Sequence, residues 1–94
     1  GDGPRLVNPF AGELQLDIVP NPFTDRTTIN IAPAGREATL QIYDMLGTLV
    51  LDLTDRLRDT DSVEVTASEL PSAGMYYCRF TADGYVLVRT IILR

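Results

Sequence analysis

Hydrophobic and polar residues alternate along most of this chain, and groups of turn-forming residues interrupt the alternation about every 8–12 residues. A period of two places successive side chains on opposite faces of a β-strand, and no segment keeps the longer period of an amphipathic helix. The pattern predicts an all-β fold, a seven-stranded antiparallel immunoglobulin-like β-sandwich. Five strands are expected at 14–19, 27–31, 38–43, 49–53 and around 63–65, and two more within 74–94.

The C-terminal stretch 74–94 is predicted to form one long β-hairpin. Asp83-Gly84 lies between its two arms, and this dipeptide readily adopts the positive φ angles of a two-residue hairpin turn. In the first arm Tyr76, Cys78 and Phe80 alternate with more polar residues, so one face can be buried. Gly74 and Tyr76 are expected to begin this arm.

The second arm of the hairpin is apolar on both faces. Val86 and Val88 share one face with Ile92, and the other face carries Ile91 and Leu93 with Arg89 between apolar neighbours. A strand of this kind is either central in its sheet or presents its second face to a partner. In the second case two copies of the chain could pair edge to edge.

Turn residues predict how the other strands are connected. Pro20, Asn21 and Pro22 end the first strand, because a proline nitrogen cannot donate a hydrogen bond to a sheet. Phe23 is expected to close the edge of the core after this bend. Gly47 is the predicted positive-φ residue of a tight turn that follows Tyr43. The segment 67–71 has room for one helical turn, with Leu70 beneath the sandwich.

The composition excludes several classes of chemistry. The chain has 94 residues and a net charge of −5, and its eight basic residues are all arginine, with neither lysine nor histidine. An acidic chain with scattered arginines does not attract a phosphate backbone, so no nucleic-acid partner is expected. Without histidine or lysine, the single thiol of Cys78 has no base to activate it, and we expect no enzyme activity, metal or cofactor. Asp59 and Asp61 lack the further ligands of a calcium loop, so the charged segment 54–61 is expected to be a solvated loop.

Three blocks of sequence, taken in order, resemble the type A C-terminal sorting domain of the type IX secretion system of Bacteroidetes. The first block is 19–24 followed by 28–31, the second is 40–50, and the third starts at 70–77 and runs through to 89–94. The motif positions that we expect to be structural are Pro20, Asn21, Pro22, Tyr43, Gly47, Gly74 and Tyr76.

The resemblance implies an address label and no chemistry. It implies that 14–94 is the sorting domain and that 1–13 is a linker or arm that contains or follows a cleavage region. The implied partners are an N-terminal cargo domain, the outer-membrane translocon with its shuttle proteins, and a gingipain-like sorting peptidase. The implied route runs through the periplasm and across the outer membrane to the cell surface or medium, with the cargo attached to the surface.

The residues expected to contact the secretion machinery lie in the last strand, by edge pairing or through an exposed apolar row. They are Gly84, Tyr85, Val86, Val88, Arg89, Ile91, Leu93 and Arg94. Two other functions stay open at this point, an adhesion or spacer module and a carbohydrate-binding module. The second would be favoured if Tyr43, Tyr77 and Tyr85 shared one exposed face.

Overall fold

The computed structural model describes residues 14–32, 37–57 and 60–94. Within these ranges the chain forms seven strands in two antiparallel sheets, which confirms the prediction of an all-β sandwich. The strands are β1 (Gln15–Val19), β2 (Arg26–Ala32), β3 (Ala38–Tyr43), β4 (Leu49–Asp52), β5 (Ser62–Thr66), β6 (Gly74–Ala82) and β7 (Tyr85–Leu93).

The strands divide into a sheet of three and a sheet of four. The first has the order β1-β2-β5 and the second has the order β4-β3-β6-β7. In the constant-type immunoglobulin fold the fourth strand pairs with the fifth, whereas here β4 pairs with β3. The immunoglobulin-like part of the prediction therefore concerns the sandwich architecture and stays a prediction. In this order β7 is an edge strand.

The core lies between the sheets and is built from every second residue of each strand. Because the side-chain period is two, each strand gives one face to the core and the other to solvent. The predicted inward positions in β2 and β3 are confirmed. The buried side chains include Leu16, Ile29, Ile31, Val63 and Val65 from the three-stranded sheet and Leu40, Ile42, Cys78, Phe80 and Ile91 from the four-stranded sheet.

The hairpin of β6 and β7 follows the sequence prediction closely. Ala82 pairs with Tyr85, and the two turn residues between them, Asp83 and Gly84, have φ angles of 53° and 80°. Positive φ at both positions matches the twist of the flanking strands. The alternative of a central position for β7 is wrong, because the strand ends its sheet and leaves Val86 and Val88 46% and 47% exposed.

Tyr76 anchors the start of β6 to the segment before it. Its hydroxyl accepts a hydrogen bond from the Ser72 N–H at 3.2 Å and donates one to the Ser72 carbonyl at 2.5 Å. This is the geometry of the tyrosine corner found in immunoglobulin-like sandwiches. Gly74 is the first residue of β6, as predicted, and Leu70 is buried directly after a one-turn 3-10 helix, Ala67–Glu69.

The prediction from the sequence agrees with the structure for the turn after β3, but not for the start of the charged segment after β4. Gly47 has a φ of 87°, as predicted, and Asp44 Oδ1 accepts the N–H groups of Leu46 and Thr48, both at 2.9 Å. The segment that begins at Thr54 was expected to be a solvated loop. It instead opens with a 3-10 turn, Thr54–Leu57.

Candidate functional site

The bend at Pro20–Phe23, which we call the strap, runs along the outer edge of β7. The Asn21 side chain donates from Nδ2 to the Thr90 carbonyl at 2.7 Å, and its Oδ1 accepts the Ile92 N–H at 2.9 Å. A primary amide offers one acceptor and two donors in a plane, as a peptide group offers one of each. The Asn21 side chain therefore occupies the place of a peptide group in a neighbouring strand.

The backbone of Phe23 continues this pairing. Its N–H donates to the Ile92 carbonyl at 2.9 Å, and its carbonyl accepts the Arg94 N–H at 2.9 Å. The Phe23 side chain is only 2% exposed, which confirms that it closes the edge of the core. Thr27 holds the other end of the strap, because its hydroxyl donates to the Pro20 carbonyl at 2.6 Å. The strap is thus fixed to both sheets.

The strap covers only the C-terminal half of the β7 edge. Its partners are the backbone groups of Thr90, Ile92 and Arg94, all at even positions. Backbone direction alternates along a strand, so Val86 and Val88 also point their N–H and C=O groups away from β6. Among residues 14–32, 37–57 and 60–94, β7 pairs only with β6 and, through the bridge between Phe23 and Leu93, with the strap. We call Tyr85–Arg89 the open edge.

The side chains beside the open edge form an exposed apolar row on the outer face of the four-stranded sheet. Val86 and Val88 lie there, and Val88 is the cross-strand neighbour of Arg79. Next to them Tyr43 pairs with Tyr77, which is 37% exposed. A shallow depression with an apolar lining lies between the tyrosines and Val88. Apolar side chains are thus available to a partner at the same edge as free backbone groups.

Charge is unevenly divided between the terminal hairpin and the rest of the chain. The hairpin 74–94 contains three arginines and one aspartate, a net side-chain charge of +2, while residues 1–73 contain five arginines and twelve acidic residues, a net charge of −7. In the described part of the chain Arg26 and Arg56 form ion pairs, but Arg79, Arg89 and Arg94 form none. Arg89 only donates to its neighbour's carbonyl, that of Val88, at 3.3 Å.

The residues predicted to contact the secretion machinery occupy different environments along the hairpin. Gly84 lies in the turn, Tyr85 is half-buried, and Val86, Val88, Arg89 and Arg94 are exposed. Ile91 and Leu93 lie in the core, so in the folded domain their side chains support β7 and do not reach solvent. A partner of the folded domain meets the exposed subset.

The structure also separates the three tyrosines that would build a sugar-binding platform. Tyr43 and Tyr77 lie on the outer face of the four-stranded sheet. Tyr85 pairs with Ala82, whose side chain is in the core, so Tyr85 belongs to the opposite face. The three tyrosines therefore do not share one exposed face, which a carbohydrate-binding module would have required.

The titratable groups of the described residues are arranged for stability. Burial raises the pKa of the Cys78 thiol to about 12, which leaves it protonated and unreactive. The guanidinium of Arg56, which forms an ion pair with Glu69, together with the Thr66 N–H, lowers the pKa of Glu69 to about 2. Thr54 lowers the pKa of Asp52 through hydrogen bonds.

Two further observations concern metal binding and membrane spans. No cluster of three metal-ligating side chains occurs among residues 14–32, 37–57 and 60–94. The predicted arm 1–13 and Asp59 lie outside these ranges. In the same ranges no helix has the length and hydrophobicity that crossing a membrane requires.

Two features of the site went unnoticed in the sequence. Asn21 was identified as a motif residue, but its pairing with β7 was not predicted. The signal was present, since an asparagine between two prolines has a side-chain amide and neighbours that cannot form a ladder. The second feature is the positive charge of the hairpin, to which Arg79 contributes. The sequence contains the signal, because 74–94 has three arginines and one aspartate.

Comparison with known families adds one match. Residues 17–94 match a family model described as the secretion system C-terminal sorting domain. No curated protein matches the chain.

Proposed function

Since this chain belongs to the family of C-terminal sorting domains of the type IX secretion system, we propose that the secretion machinery recognises it at the open edge of β7. The family assigns the domain the role of a sorting signal for export across the outer membrane, and it is not an enzyme family. The finer steps form part of the proposal. A shuttle protein or the translocon reads the folded domain, a gingipain-like peptidase removes it, and the cargo is attached to the cell surface.

The observation that carries the proposal is the coincidence of three properties on one five-residue stretch. Within the described part of the chain, the outward backbone groups of Val86 and Val88 have no partner, both valines are exposed, and Arg89 forms no ion pair. Single exposed apolar residues are ordinary on a protein surface. An uncovered strand edge beside a row of apolar side chains promotes aggregation, because it can pair with another chain, unless a partner covers it. The strap removes this liability from the other half of the same strand.

The test needs substitutions, because a truncation of β7 would remove Ile91 and Leu93 from the core. We would fuse the whole chain to a secreted reporter in a type IX host and change Val86 and Val88 together to threonine. The matched control is Val19→Thr, an exposed valine at an edge of the other sheet, 62% exposed. The expected result is a loss of surface delivery of about tenfold for the double variant, as for a contact residue, and little loss for the control.

Equal delivery by both variants, with equal thermal stability of the purified domains, would refute recognition at the open edge. Each domain has to unfold within a few degrees of the parent for the comparison to count. Threonine keeps the branched shape that suits a strand, so neither change is expected to disturb the sheet.

Cleavage is proposed to fall within or before the arm 1–13. β1 is hydrogen-bonded to β2 along its whole length, so the peptide bonds of β1 are held in a ladder. Proteases need an extended backbone that is not held in a ladder. Mass spectrometry of the released domain should give an N-terminus at or before residue 14, and a cut inside β1 or β2 would contradict this.

A further inference from the structure

We infer that the open edge accepts an extended acidic segment of the secretion machinery as an added antiparallel strand, with a carboxylate of that segment beside Arg89. The inference rests on the proposed function and names the chemistry of the partner at that site. It is derived from the backbone direction, the side-chain pattern and the charge of the hairpin.

The backbone of β7 fixes how such a strand can pair. Val86 and Val88 direct their N–H and C=O groups outward, and the strap shows that the same edge pairs well two residues further on, at Thr90 and Ile92. In an antiparallel pair the outward residues form hydrogen-bonded pairs with every second residue of the incoming strand. The strap blocks extension past Arg89, so the partner contributes a segment of about five residues.

The side chains of β7 specify what the partner carries at alternate positions. Partner residues opposite Val86 and Val88 lie on the outer face, beside two exposed valines, and are expected to be apolar. The partner residue opposite Arg89 lies on the other face, where an opposite charge stabilises a cross-strand pair. Read along the antiparallel partner, the pattern is acidic, apolar, any residue, apolar.

Charge distinguishes this partner from a second copy of the chain. Pairing two open edges would bring together two hairpins that each carry a net charge of +2. The paired length would be limited to five residues by the strap of each copy, and only Val86 and Val88 would contribute outward backbone groups. The positive charge of the hairpin attracts an acidic strand, whereas it repels the hairpin of a second copy. The edge-to-edge dimer therefore stays a prediction, and repulsion between the two hairpins disfavours it.

The experiment is a titration of the full ¹⁵N-labelled chain with two capped peptides, Glu-Val-Thr-Val-Thr and Lys-Val-Thr-Val-Thr. We expect amide shift changes centred on Tyr85–Arg89 and slowed exchange of the Val86 and Val88 amides. The glutamate peptide should bind about two- to fivefold more tightly than the lysine peptide, the size of an exposed charge pair, and the difference should shrink in high salt.

Two pairs of variants test the backbone and the charge separately. Val88→Pro removes an N–H that points away from β6, which an edge strand tolerates, and it should weaken binding about tenfold or more. Val88→Thr loses apolar contact but keeps the N–H, so it should weaken binding much less than Val88→Pro. Arg89→Gln should abolish the preference for glutamate over lysine and leave the remaining affinity. If Val88→Pro does not fold, the comparison of the glutamate and lysine peptides on the parent chain still tests the inference.

Several results would overturn the inference. One is equal binding of both peptides to the parent chain, and another is equal binding to Val88→Pro and Val88→Thr. A third is shift changes located on β4, at the other edge of the sheet. Shift changes at the open edge that depend on protein concentration without peptide would assign the site to a second copy.

The failure of this inference is distinguishable from failure of the proposed function. If Val86 and Val88 are needed for surface delivery but the acidic peptide does not bind, the recognition site stands and the partner chemistry is wrong. If the peptide binds as described but delivery is unchanged in the double threonine variant, the edge binds acidic strands and recognition for export lies elsewhere.

Discussion

Replacing Asn21 by alanine should loosen the C-terminal half of β7 without disturbing the core. The change removes two hydrogen bonds, from Asn21 to the Thr90 carbonyl at 2.7 Å and from the Ile92 N–H at 2.9 Å. Each is worth about 0.5–1.5 kcal/mol net. Because the groups are exposed and water can replace part of the loss, we expect the free energy of unfolding to fall by about 1–2 kcal/mol.

Urea denaturation and amide exchange together test this expectation. For a domain of this size, a loss of 1 kcal/mol corresponds to roughly 4–8 °C in melting temperature. The Ile92 amide should exchange faster, because its partner is gone, whereas the Ile91 amide faces β6 and should change only with global stability. Asn21→Asp keeps the acceptor for Ile92 but places a carboxylate beside the Thr90 carbonyl, and it should be at least as destabilising.

Asn30→Ala is the matched control. Asn30 is exposed in β2, and its side chain forms no hydrogen bond among the described residues. If Asn21→Ala and Asn30→Ala lowered stability equally, and the Ile92 amide exchanged as in the parent, the side-chain amide of Asn21 would not hold β7.

Three further predictions concern stability and reactivity. The pKa of Glu69 is about 2 in the folded domain and 4.5 for a free glutamate, so the stabilisation that Glu69 gains from Arg56 is present above pH 4.5 and lost as the pH falls towards 2. Glu69→Gln should therefore lower the free energy of unfolding by about 1–2 kcal/mol at pH 6, after discounting for partial exposure, and by little at pH 2. Tyr76→Phe removes both hydrogen bonds to Ser72 and should lower the free energy of unfolding by about 1–2 kcal/mol. Cys78 should react with a thiol reagent only in denaturant.

Each of these has a result that would count against its reasoning. A stability difference between the parent and Glu69→Gln that stayed constant from pH 6 to pH 2 would exclude an ionic origin. Tyr43→Phe loses one hydrogen bond, to Gln41, on the solvent face, so it should cost less than Tyr76→Phe. Rapid reaction of Cys78 in native buffer at pH 8 would show that its side chain is not held in the core.

The strands could be read from the sequence because burial repeats every second residue. The alternation of Leu40 and Ile42 with polar neighbours fixes both the strand and its inward face, and Asp83-Gly84 fixes the turn of the hairpin. Such signals are local, and the energy that decides them comes from a few adjacent residues. They do not say which strands are neighbours, so the division into sheets of three and four could not be predicted.

The strap and the edge position of β7 lay beyond sequence reasoning for the same reason. Asn21 and Thr90 are 69 residues apart, and no local pattern joins them. An apolar run such as the second arm of the hairpin fits a central strand as well as an edge strand with an exposed row. Only the pairing of β6 with both β3 and β7 shows that Val86 and Val88 face solvent.

The attachment of residues 90–94 to the strap makes the closure of this domain depend on a complete β7. Ile91 and Leu93 fill the core, and Arg94 N–H bonds to a residue near the other end of the domain. A polypeptide is made from its N-terminus, so among the contacts of this domain these form last. A product that stops within β7 lacks part of the core and leaves Asn21 and Phe23 without their β7 partners, and it should be exported poorly by any machinery that requires a folded domain.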